Sequence, residues 1–190
     1  MAARRYHGNL DMITDSERRA LRPIGSSAYE VAARTGALLA DLMALPGVRI
    51  FQGVRPVGTD LPRIAHAVTA GRRLILVESV AWPPGEYTLA PSGRVLCDGT
   101  YIGQSVRPLI VAVQHWREAL PNGHRVCAAV VVHTCADGDP GLPPSAGRDL
   151  LWMPARDAVP EIQKRLLPGR TAVGGRALAA LVAATLTPPP

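Results

Sequence analysis

Two stretches of this chain are apolar without a break and far too short to cross a membrane: Leu74-Ile75-Leu76-Val77 and Cys127-Ala128-Ala129-Val130-Val131-Val132. A strand with one wet face alternates apolar and polar residues, whereas a strand buried on both faces does not. Each run therefore needs cover on both sides. Amphipathic segments that can give it surround them. Ser27, with Glu30 three residues later, has the form of a capping box and opens a helix to about Leu45. A second helix is expected over residues 104–120, with Pro108 tolerated near its start, and shorter ones over 159–167 and 171–186. Residues 48–54 alternate as a first strand should, and residues 150–153 form a last one. Strands flanked by helices in this order predict an α/β fold, a mixed central sheet flanked by helices.

The first apolar run closes a hairpin. Residues 64–68 read as one strand, 70–73 as the turn and 74–77 as the next strand, which stops at Glu78. A carboxylate at the edge of a core is costly without a partner. A metal ion or a positive side chain would be that partner. Beyond it, Trp82-Pro83-Pro84-Gly85 is a turn, and residues 86–89, 94–97 and 101–103 form a small sheet.

Length and composition set the remaining bounds. The 190 residues suit one domain with terminal extensions: an N-terminal arm at 1–24, the domain at 25–168, and a C-terminal helix with a proline tail at 169–190. The formal charge is +6, and Lys164 is the one lysine among 21 basic residues. Arginine-rich composition follows from GC-rich coding, and the charge is spread along the chain rather than gathered. The arginine doublets Arg4-Arg5, Arg18-Arg19 and Arg72-Arg73 are still candidates for phosphate contact, and Arg72 and Arg73 sit together on the hairpin turn. Cys97, Cys127 and Cys135 have no paired spacing, so neither a disulfide framework nor a zinc knuckle is expected. Four of the five histidines, His66, His115, His124 and His133, lack ligand spacing and read as structural. No run is long enough for a membrane span and the first residues lack an apolar signal core, so a cytoplasmic protein is expected.

Several local phrases fall in one order: Gly25-Ser26-Ser27-Ala28-Tyr29-Glu30, then Ile64-Ala65-His66-Ala67-Val68, then the strand ending in Glu78-Ser79-Val80, then Gly85, then a glutamine-bearing segment at Gln104 or Gln114. In that order and spacing, residues 25–167 resemble the nuclease-related domain family, which implies a restriction-endonuclease-like core. In that family an aspartate and a second acid hold a divalent metal, and a lysine two residues after the second acid orients the nucleophile. The resemblance puts Ala65 at the aspartate position and Val80 at the lysine position, leaving Glu78, with Glu30 on the first helix. Mg²⁺ demands several oxygen ligands, and the metal supplies the nucleophile and the charge stabilisation.

The expectation is therefore a nuclease-like domain without catalytic activity, with no cofactor, acting as a binding or scaffold protein. Its partner is expected to be a protein complex, because the polar N-terminal arm and the apolar C-terminal helix look like docking segments, with nucleic acid on Arg72 and Arg73 as a further option. The alternative is a Mg²⁺-dependent DNA or RNA nuclease with a rearranged site, in which Asp60 swings toward Glu78 and Glu30 completes the set.

Overall fold

The computed structural model describes residues 6–11, 13, 21–56, 58–145, 149–167 and 174–186. The doublets Arg4-Arg5 and Arg18-Arg19, most of the link before the last helix, and the proline tail lie outside the described residues. In chain order the elements are β1 (Tyr6–His7), α1 (Ala28–Leu39), β2 (Arg49–Val54), β3 (Ile64–Ala70), β4 (Arg73–Trp82), β5 (Tyr87–Leu89), β6 (Arg94–Cys97), β7 (Thr100–Ser105), α2 (Arg107–Ala119), β8 (Arg125–Thr134), β9 (Leu150–Pro154), α3 (Ala158–Leu166) and α4 (Gly175–Leu186). Six strands form one mixed sheet in the order β1-β2-β3-β4-β8-β9, and β5-β6-β7 form a separate antiparallel sheet. The α/β class expected from sequence is therefore the class observed.

The two apolar runs lie side by side at the centre of the large sheet. β4 and β8 pair in parallel over ten residues, from Arg73 opposite Arg125 to Trp82 opposite Thr134. Their side chains alternate between two cores, as the period of a strand requires. Leu74, Leu76, Val80 and Trp82 join Val126, Ala128, Val130 and Val132 on the face covered by α2 and α4. Ile75, Val77, Ala129 and Val131 join the opposite core, which contains Leu39 of α1 and Ile162 of α3. The result is a three-layer sandwich.

Three boundaries differ from the sequence expectation. β4 does not stop at Glu78: it runs on through Ser79, Val80 and Ala81 to Trp82, because β8 offers a backbone partner for each. Gln104 is not on a helix; it pairs with Val95 inside the small sheet, and α2 begins three residues later, where Ser105 Oγ accepts from Arg107 N. The terminal segments are not free docking arms where they are described. β1 pairs in parallel with β2, Leu10 and Ile13 are buried against Ala28 and Ala32, and Leu21 joins the α2/α4 core. Ala177, Leu181 and Ala184 of α4 are buried in that core too.

The capping box is present as read: Ser27 Oγ accepts from Glu30 N, and the Glu30 carboxylate accepts from Ser27 N. Further along α1, Gly36 lets the helix lie close on the sheet. A Cβ there would come within 2.9 Å of His66 Nε2 and 3.3 Å of Tyr6 Oη. Alanine is the better helix former by about 1 kcal/mol, but forcing a methyl into filled space costs about 1–3 kcal/mol. Gly36→Ala is therefore expected to lower the urea midpoint of unfolding rather than raise it, with a net loss of about 1 kcal/mol.

Candidate functional site

The residues singled out by the family resemblance do not gather at one point. Glu78 faces the α2 side of the sheet. Its carboxylate lies in a hollow of about 20 Å³ walled by Leu21, Pro62, Ile64, Pro108 and Leu109. That is room for about one water molecule. Glu78 keeps 8% of its surface exposed, and its Oε1 accepts from Ser79 N at 3.2 Å. Val80, two residues on, is fully buried in the same core. Ala65 lies on the other side, packed with Ala28 and Ala32 of α1. Glu30 is exposed and occupied as a helix cap; its carboxyl is held below the usual range by hydrogen bonds from Ser27, first from the backbone, then from the side chain. Asp60 is exposed in the loop before β3 and does not line the hollow.

Gln104 has a clear task. Its side-chain amide donates to the backbone oxygen of Arg22 at 3.0 Å, and its Oε1 accepts from Arg22 N at 3.2 Å. Together with the bond from Ile24 N to Ala81 O, it fastens residues 22–24 beside the end of β4. Leu21 is thereby delivered as one wall of the Glu78 hollow.

Sequence reading missed Arg63. It is 2% exposed, lines the hollow with Glu78, and donates from Nη1 to Gly53 O at 2.7 Å. Gly53 sits at φ +62, and a Cβ there would meet Asn9 O at 2.8 Å, so the position suits glycine. A positive side chain thus lines the hollow of the buried carboxylate, one residue before the strand in which the resemblance puts Ala65 at the aspartate position. A loop arginine after a proline carries no local sign of burial.

A hard divalent ion requires several oxygen donors in near-octahedral order; among the described residues the walls here offer one carboxylate, one guanidinium and hydrocarbon. Among the described residues no group of three His, Cys, Asp or Glu side chains stands in an arrangement able to hold a metal ion.

The α1 side carries two buried histidines. His133 Nε2 shares a hydrogen bond of 2.8 Å with Thr35 Oγ1, and burial, then Arg34, pushes its pKa down to about 4. His66 is fully buried between Gly36 and β2, and neither ring nitrogen has a hydrogen-bond partner among the described residues. Burial pushes its pKa down to about 3 from 6.5. Both behave as structural residues.

Arg72 and Arg73 lie at the far end of β4 from Glu78's half of the strand, on the turn from β3. Arg72 is exposed and rests against Gly123; Arg73 lines a much larger cavity. No helix among the described residues is long and apolar enough to cross a membrane. Comparison with protein-family models, with curated proteins and with solved structures returned no match to this chain.

Two predictions concern these residues. Arg63→Ala removes a charged donor from Gly53 O and opens a void, and is expected to cost about 3 kcal/mol in denaturant unfolding. His66 stays neutral in the folded protein down to about pH 3 but titrates near 6.5 when unfolded. Its contribution to stability is therefore whole above pH 6.5 and is lost as pH falls from there toward 3. The slope approaches about 1.4 kcal/mol per pH unit. Unfolding curves for His66→Leu measured from pH 7 to 4 should have a slope shallower by that amount.

Proposed function

We propose that this chain acts by binding, on a core related to the restriction-endonuclease-like architecture and without catalytic activity. The succession α1, three antiparallel strands β2-β3-β4, α2 and a parallel β8 supports the kinship, since it is the order expected from the family resemblance. The observation that carries the loss of chemistry is the closure around Glu78. A nucleophilic water and a phosphodiester need open space beside the carboxylate, and the hollow holds about 20 Å³ behind Leu21, Pro108 and Leu109. Val80 replaces a cation with hydrocarbon at the same face.

The partner in this reading is a protein complex. The N-terminal segment and α4 do not carry that choice, because their described residues are built into the sheet and the core. It rests on the described lining of the Glu78 hollow, which is one cation, Arg63, among hydrocarbon, whereas a nucleic-acid cleft presents a track of cations. A nucleic acid is the second reading, favoured by Arg72 and Arg73 at the opposite end of the strand.

Affinity capture of the chain from its own cells, washed with and without added nuclease, separates these readings. A stoichiometric protein that stays bound after nuclease treatment is the expected result. Material lost on nuclease treatment would favour the nucleic-acid reading. Cleavage of DNA or RNA that requires Mg²⁺ or Mn²⁺ and disappears in Glu78→Gln would overturn the proposal.

A further inference from the structure

The three parallel strands β4, β8 and β9 begin at one edge of the sheet, at Arg73, Arg125 and Leu150. A cavity of about 500 Å³ opens there. Its polar wall carries Arg73, Arg117, Arg125, Arg165 and a single carboxylate, Asp149. Leu74, Ile75, Val126 and Leu151 also line it, at the strand ends, with their side chains buried in the two cores.

The four arginines are not equivalent. Arg117 grips Asp149 with both terminal nitrogens, at 2.5 and 3.1 Å, and donates to Val126 O at 2.7 Å. Arg165 pairs with Glu161 one helical turn back. The side chains of Arg73 and Arg125 have no ion pair or hydrogen bond among the described residues. Among the described residues two guanidinium groups are therefore unpaired over one concavity, beside a third that is fixed in place. The Cys127 thiol lines the same cavity, and burial pushes its pKa up against the charge of Arg165. A neighbouring hollow of about 480 Å³ meets the first at His124 and adds Arg72 and Arg176, so the approach is positive as well.

Guanidinium forks match phosphate oxygens two at a time. The volume falls in the range of small-molecule sites. A nucleic-acid duplex is convex and offers phosphate and sugar at its surface, so it would not use the depth. Among the described residues the one ring that lines either hollow is the imidazole of His124. We propose that this cavity binds a small organic phosphate, its phosphate or diphosphate held by Arg73 and Arg125. The assignment is independent of any kinship with nucleases.

Hexyl phosphate is a suitable probe, titrated calorimetrically into the full chain at low salt. It should bind, and Arg73→Gln and Arg125→Gln should each weaken it at least tenfold, while Arg94→Gln on the small sheet leaves it unchanged. In the unaltered protein, hexyl phosphate but not hexanol should slow alkylation of Cys127 at pH 9, read by mass spectrometry of its peptide. Flotation with phosphatidic-acid vesicles distinguishes a headgroup at a bilayer from a free phosphate ester; hexyl phosphate should displace the chain from any vesicle it joins. Failure of hexyl phosphate to bind or to protect Cys127, equal weakening by Arg94→Gln, or attachment to duplex DNA that hexyl phosphate does not compete would overturn the assignment.

Discussion

Ten consecutive residue pairs between β4 and β8 are the constraint from which the other elements take their places. Backbone amides and carbonyls buried on both faces have no water to turn to and must satisfy one another. Parallel pairing of this length also requires a crossover to bring the chain back to the same edge, and α2 provides it. Once the two strands are fixed, their side chains divide by parity into two cores. Each core needs its own cover, which is why α1 and α3 lie on one face and α2 and α4 on the other.

Glu78 is the exception built into that centre. It sits mid-strand on the α2 face, where its neighbours at Leu76 and Val80 are hydrocarbon. An ionised carboxylate is tolerated there only with a compensating charge or donors. Arg63 lines the same hollow, and the Ser79 amide donates to Glu78 Oε1. A phosphodiesterase site needs the reverse arrangement, an acid open to solvent and to a metal. The Gln104 clamp strengthens the contrast, because it brings Leu21 over the hollow as a lid made from the chain's own N-terminal segment.

The layers of the fold were legible because they rest on local pattern. The runs at 74–77 and 127–132, the Ser27–Glu30 box and the proline in the first turn of α2 each announce their element within a few residues. What was not legible depends on pairing across the chain. The polar residues Glu78 and Ser79 interrupt the apolar pattern, so the strand seemed to end where it continues. Gln104 stands before a helix without an intervening breaker, and only its pairing with Val95 assigns it to a sheet. β1 is two residues long and has no pattern to read. The basic cavity draws Arg73, Arg117, Arg125 and Arg165 from four separate elements, and a charge that looks dispersed along the chain is gathered only by the fold. Of the Arg72-Arg73 doublet, Arg73 alone lines that cavity.

The indole side chains are distributed as unevenly as the charge. All three tryptophans, Trp82, Trp116 and Trp152, belong to the core beneath α2 and α4, with Trp82 stacked on Tyr87 at 4.3 Å. The core beneath α1 and α3 has none. Intrinsic fluorescence therefore watches one half of the molecule. A partial opening that lifts α1 away from His66 would pass without a change in emission, and amide exchange along α1 is the signal that would register it.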